Sequence, residues 1–146
     1  MAYNGIEKID VKGKDILIIG AGAIGLLGAA CAKAIGEYLL TFNIHEEVCT
    51  YHIFCQGATQ VIVADVLEKR LELAKKMGAD ITIDCSKKDL MTEIMAITGG
   101  VGVSRLMEAS GHHVMVNNSF KMMRKAQIKF PDTKSMTTKR FIILGI

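Results

Sequence analysis

The hexad Gly20-Ala21-Gly22-Ala23-Ile24-Gly25 narrows the fold more than any other feature of this chain. It stands directly behind the apolar run Asp15-Ile16-Leu17-Ile18-Ile19 and ahead of a helix-like stretch from Leu26 to Ile35. A short continuous apolar run is what a strand buried on both faces of a parallel sheet presents. Three glycines spaced in this way carry little weight alone, but a strand before them and a helix after them give the pattern structural meaning. Gly20 permits a tight turn, Gly22 leaves the backbone open to close approach, and Gly25 allows the helix to pack near the strand.

The same alternation continues along the chain. Val61-Ile62-Val63-Ala64 reads as a second strand ending in Asp65, and Glu68 to Met77 as an amphipathic helix closed by Gly78. Ile81 to Ile83 forms a third strand, Leu90 to Thr98 a helix stopped by Gly99-Gly100, Val103 to Ala109 a fourth strand, and Phe141 to Leu144 a fifth. Strands alternating with helices imply an α/β fold, a doubly wound parallel sheet, and 146 residues suffice for one such domain. Two segments break the pattern. Residues 37–56 hold four of the eight aromatics, two of the four cysteines and two of the four histidines. Residues 126–139 are polar and basic and contain the only proline, Pro131.

Composition removes several function classes. The net charge of +3 gives no reason to invoke nucleic acid, and the basic residues between Lys121 and Arg140 read as a solvated surface. Cys31, Cys49, Cys55 and Cys85 form no CxxC pair and no zinc-finger spacing, which suits free thiols in a reducing, cytoplasmic setting. Residues 1–14 lack the apolar core of a signal peptide. The uncharged stretch Ile16 to Ala32 is slightly short for a bilayer and holds four glycines, so no membrane contact is expected.

A helix opening directly behind a glycine turn offers unpaired N–H groups and a positive dipole end to phosphate, which suits a dinucleotide pyrophosphate. The pattern also requires an acid about twenty residues later to bind the ribose hydroxyls. Asp65 ends the right strand but stands 40 residues after Gly25. Merging Gly36 with Gly57 removes 21 residues and reduces the separation from 40 to 19. The codons at the two ends permit splice junctions, GGTGAGTAT for Gly36-Glu37-Tyr38 and TTTTGTCAAGGA for Phe54 to Gly57. Residues 37–56 are therefore expected to be translated intron, with a genuine surface insertion as the alternative.

Taken together, GAGAIGLLGAACAKAIG, VIVADVLEKRLELAKKMGAD and GGVGVSRLMEASG resemble the Rossmann-fold cofactor domain of zinc-dependent medium-chain dehydrogenases, with the sorbitol, threonine and butanediol branch most similar. The resemblance covers about four-fifths of the chain. It implies that Ile24 lies against the diphosphate in a cofactor-binding turn with Gly20, Gly22 and Gly25, that Asp65 binds the adenosine ribose, and that Arg70 flanks it. It further implies that Ala109-Ser110-Gly111, with Ser110 at its centre, forms the loop near the nicotinamide, and that Leu144-Gly145-Ile146 also touch the cofactor. The implied ligand is NAD, favoured over NADP because the Asp65 carboxylate repels an added phosphate.

The parent reaction by this resemblance is alcohol- or polyol-type oxidation, with zinc expected only in the full-length enzyme and a small alcohol as its substrate. A homo-oligomer is left open. The catalytic domain that supplies zinc ligands is expected to be absent here, leaving the isolated chain inactive. His112 and His113 are read as loop histidines without metal, and Met122-Met123 as core filler. Two rivals stand beside this reading. One is a non-catalytic nucleotide-binding fragment from an incomplete or mis-spliced gene model. The other is a methyltransferase with a nucleoside cofactor, disfavoured by Arg70 and by the spacing of the glycines.

Overall fold

The alternation of burial along the first strand sets the layers of the molecule. In the computed structural model, which describes residues 2–44, 47–124 and 140–143, the elements in chain order are α1 (Ala2–Ile9), β1 (Asp15–Ile19), α2 (Ala23–Lys33), β2 (Ile35–Ile44), β3 (Glu47–Gln56), β4 (Gln60–Asp65), α3 (Glu68–Lys76), β5 (Ile81–Asp84), α4 (Leu90–Ile97), β6 (Arg105–Glu108), α5 (His113–Ser119), a 3₁₀ turn (Phe120–Met122) and β7 (Arg140–Ile143). On β1, Ile16 and Ile18 join one core cluster while Leu17 and Ile19 join another. Val61 and Val63 of β4 fall with the first pair, Ile62 and Ala64 with the second. Both faces of the central strands are therefore covered, as the unbroken apolar runs require.

Five strands form one sheet in the order β5-β4-β1-β6-β7, and every pairing is parallel. From β1 the chain builds outward through β4 to β5, then crosses back to the far side of β1 for β6 and β7. The order of strands reverses between β1 and β6, which is the switch point where such sheets bind ligands at their carboxyl ends. The doubly wound α/β reading is thus borne out. Residues from α1, α2 and α3 fill one face of the sheet, and Leu90 and Ile94 of α4 with Met122 and Met123 fill the other. Met122 and Met123 are buried, as core filler should be.

Helix α4 starts where Asp89 accepts hydrogen bonds from the backbone N–H of Thr92 (2.9 Å) and from its hydroxyl (2.7 Å), an N-terminal cap that satisfies one orphan donor. Helix α1 was not foreseen. Its buried residues Ala2, Gly5, Ile6 and Ile9 share one face, and its end is pinned by the buried Arg105 of β6. The Nε of Arg105 donates to the carbonyls of Ile9 and Asp10, and Nη1 donates to the carbonyl of Ser104 at 3.0 Å. The end of α1 and the residue ahead of β6 thereby satisfy a cation that a buried strand would otherwise leave without partners.

Several boundaries differ from the sequence expectation. Helix α2 ends at Lys33, not at Ile35, because Ile35 already begins β2. The fourth strand contracts from 103–109 to Arg105–Glu108, with Val103 making only an isolated bridge to Met123. His112 caps α5 and His113 opens it, so the pair is not confined to a loop. Of the odd segment 37–56, residues 37–44 and 47–56 fall within a separate two-stranded antiparallel sheet, β2 against β3, in register from Ile35↔Gln56 to Ile44↔Glu47. Residues 126–139 lie outside the described residues.

Candidate functional site

The site is built where β1, β4 and β6 end side by side. The N–H of Gly20 donates to the carbonyl of Ala64 at 2.8 Å, and that of Ala109 to the carbonyl of Ile19 at 2.8 Å. These bonds carry the ladder one step past the strands and fix the glycine turn between the ends of its neighbours. Gly20 sits at φ +96°, and a Cβ there would stand 2.7 Å from the Ser110 nitrogen. Only glycine fits both the conformation and the space. A Cβ on Gly25 would overlap the carbonyl oxygen of Gly20. The third glycine therefore admits the turn at the end of β1 against the start of α2, with Cγ2 of Ile18 in the strand 3.5 Å from the same position. Strand and helix meet again at Gly28, where a Cβ would fall 2.8 Å from the Met107 sulfur. That fourth glycine was not singled out in the sequence.

Gly22 is different. It is the N-cap of α2, no side chain caps the helix there, and nothing lies within 4 Å of where its Cβ would be. The open space stands at a helix N-terminus whose first N–H groups have no intrahelical partners. This arrangement fits a phosphate group, which needs close backbone approach and donors facing it. Ile24 is half-buried and packs against the core, so any contact it makes with a ligand is shared with the fold.

Asp65, at the carboxyl end of β4, is brought directly onto the turn. Its Oδ2 accepts from the N–H of Ala21 at 2.6 Å and its Oδ1 from the N–H of Leu67 at 2.9 Å. Its side chain is only 6% exposed, while Arg70, half exposed, holds Nη1 at 3.9 Å. The structure therefore unites Gly20, Gly22, Ile24, Gly25, Asp65 and Arg70 at one edge, in spite of the long stretch of chain between Gly25 and Asp65. Ser110 joins them from the far side of β1. Leu144, Gly145 and Ile146 lie outside the described residues, although β7 runs parallel to β6 toward the same edge.

Sequence reasoning missed Glu108. It closes β6 as Asp65 closes β4, and its side chain is fully buried. Its Oε1 accepts from both the N–H (2.9 Å) and the hydroxyl of Ser110. The signal was available, since an acid stands at the end of an apolar strand directly before Ala109-Ser110-Gly111.

Other chemistry is weak. Burial pushes the Cys85 thiol up, and the charges of Asp65, Asp84 and Asp89 push in the same direction, so it is a poor nucleophile. Among the described residues, no group of three or more His, Cys, Asp or Glu could hold a metal ion, and they do not form a zinc site. No helix among them is long and apolar enough to cross a membrane. A groove of about 300 Å³ between α3 and β5 is lined by charges of both signs. Lys87 there pairs with Glu68 at 3.4 Å and Asp84 at 3.1 Å, which leaves little net field for a charged ligand.

Comparison with known proteins agrees with this geometry. A family model described as zinc-binding dehydrogenase matches residues 53–127, just over half of the chain. The chain is 41% identical over 101 residues to an L-threonine 3-dehydrogenase of Pyrococcus horikoshii, covering 69% of this chain and 23% of that one. It is 34% identical over 120 residues to a D-arabitol-phosphate dehydrogenase of Enterococcus avium, covering 82% of this chain and 28% of the other. The chain thus spans about a quarter of the length of the curated relatives it matches. In fold it is similar to an alcohol dehydrogenase of Thermotoga maritima, with a TM-score of 0.67 and 24% identity, covering 99% of this chain and 39% of that one.

Proposed function

The chain belongs to the zinc-binding dehydrogenase family, and on that premise we propose that it is an NAD-binding domain serving hydride transfer between NAD and an alcohol, polyol or threonine-like substrate. One observation carries the reading: the Asp65 carboxylate is hydrogen-bonded to the glycine turn itself, beside the open space at Gly22.

NAD, when bound, supplies the hydride acceptor, and the hard chemistry is its own. The residues of this chain bind and orient. The turn at Gly22 and the N-terminus of α2 take the diphosphate. Asp65 spends one lone pair on Ala21 and one on Leu67, which fixes its orientation and leaves acceptor capacity for the ribose hydroxyls. A 2′-phosphate in the same place would face a nearly buried carboxylate of like charge. Arg70 is too exposed to offset this, because water screens an exposed cation strongly. The sheet order places Asp65 and Ser110 on opposite sides of β1, so a dinucleotide would lie across the switch point with its adenosine half toward β4.

Nucleotide binding without turnover is the second reading for this chain by itself. Its support is that the chain spans about a quarter of the length of the curated dehydrogenases it matches, while positioning of a substrate contributes about 7–11 kcal/mol of barrier lowering in favourable cases. Isothermal titration calorimetry of the 146-residue chain with both cofactors tests the proposal. NAD is expected to bind at least about tenfold more tightly than NADP, the discrimination of one repelled charge. Replacement of Asp65 by Ser should narrow that gap. NADP binding that equals or exceeds NAD binding contradicts the assignment of Asp65.

A further inference from the structure

We propose that Glu108 is a positioning residue of the cofactor site, a buried clamp that holds the Ala109-Ser110-Gly111 turn against the glycine turn and so sets how the half of the ligand beyond the phosphates is received. The inference rests on the reading of this edge as a dinucleotide site.

Three observations converge on it. The first is the double hydrogen bond: Oε1 of Glu108 takes the N–H of Ser110 at 2.9 Å and the Ser110 hydroxyl as well. The hydroxyl oxygen in turn accepts from the N–H of His112 at 3.2 Å, at the N-cap of α5. A single carboxylate oxygen thus fixes the turn and, through it, the entry to the next helix. The second is contact. The Ser110 backbone lies so close to Gly20 that a Cβ on Gly20 would stand 2.7 Å from the Ser110 nitrogen and 2.8 Å from its Cα. Displacement of Ser110 therefore alters the wall against which the first glycine turn is shaped.

The third observation is the other oxygen. Oε2 of Glu108 is buried without a hydrogen-bond partner among the described residues. A buried carboxylate oxygen left unpaired destabilises a fold, and an apolar side chain of similar size would avoid that cost. Its presence in the strand next to the switch point is accounted for by the work of Oε1 on Ser110. Asp65 provides the parallel on the opposite side of β1, where a strand-end carboxylate likewise accepts two hydrogen bonds, there from the backbone N–H groups of Ala21 and Leu67. The two acids clamp the turns on either flank of the site, and Glu108 is the one on the side away from the adenosine.

The test uses the 146-residue chain with NAD and adenosine monophosphate as probes. Glu108→Leu removes the acceptor while keeping a buried apolar side chain. It should weaken NAD binding about tenfold, the size of one charge-assisted hydrogen bond, and change adenosine monophosphate binding less than about twofold. Glu108→Gln retains one carbonyl acceptor for Ser110 and should recover most of the NAD affinity. Amide hydrogen exchange at Ser110 should speed up in the Leu variant and not in the Gln variant.

Unchanged NAD affinity in a folded Glu108→Leu chain overturns the proposal, as does an equal loss for both probes, which would mark general loosening. If Glu108→Leu does not fold, Ser110→Ala decides, since it deletes one clamp bond at an exposed residue; NAD affinity unchanged by it likewise overturns the clamp. Failure of the wild-type chain to bind NAD would instead remove the cofactor reading, and the exchange of Ser110 would still report whether Glu108 holds the turn.

Discussion

Gly22 and Gly25 occupy the same motif and meet opposite surroundings, so they separate binding from folding. A methyl group on Gly25 would collide with the Gly20 carbonyl oxygen. Backbone cannot step aside as a flexible side chain can, and overpacking of this kind costs about 1–3 kcal/mol or more. At Gly22 the φ of −74° suits any residue and the space is open, so Gly22→Ala should cost less than about 1 kcal/mol as an N-cap change. Thermal denaturation and NAD titration of both variants should show Gly25→Ala losing stability, and Gly22→Ala keeping it while NAD affinity falls. Equal stability loss in the two would contradict the assignment of the open space at Gly22 to the ligand. At this scale much of the site was legible. Asp65 was found despite its distance because a strand-end acid is a recognisable position, and Glu108 was missed although it holds the same position on β6, across β1. What the sequence could not convey was contact: which atom each glycine avoids, and that Gly28 joins Gly25 in bringing helix against strand.

Elements were legible where apolar runs are long and both-sided, as in β1 and β4, and illegible where the pattern is short or interrupted. Helix α1 is eight residues with a glycine among them, and part of what places it is Arg105, nearly a hundred residues away in sequence. The segment 37–56 stood out by composition, yet no periodicity announced that β2 and β3 pair with each other along their full length. Their base is closed from outside the segment: the N–H of Gly57 donates to the carbonyl of Ala34 at 3.0 Å, and that of Ala58 to the carbonyl of Ala32 at 2.7 Å. If residues 37–56 were deleted, Gly57 would follow Ala34 by three positions, and the first of those bonds would become the bond that closes a β-turn. Gly36 would then stand at the third position of the turn, where glycine is well suited. The deletion variant should keep its melting temperature within a few degrees or raise it, and should bind NAD as the full chain does. A deletion variant that fails to fold would show that the β2–β3 pair is integral to the domain.

The five-stranded parallel sheet reverses its strand order between β1 and β6, and that single topological fact collects residues spread from Gly20 to Ser110 at one edge. Strand spacing in such a sheet is about 4.8 Å, so the ends of β4 and β6 stand about 10 Å apart with β1 between them. The topology was readable from strand–helix alternation because the central strands β1, β4 and β6 are buried on both faces. The exact ends of the elements were not, since they depend on caps and turn contacts. The central claim is that a dinucleotide lies across this edge, and an amide NMR titration of the ¹⁵N-labelled chain with NAD tests it most directly. The account predicts shifts concentrated at Gly20 to Gly25, Asp65 to Leu67 and Ser110, on both sides of β1. Shifts confined to the groove residues Glu72, Lys75 and Thr82 between α3 and β5, or no shifts at all, would contradict it.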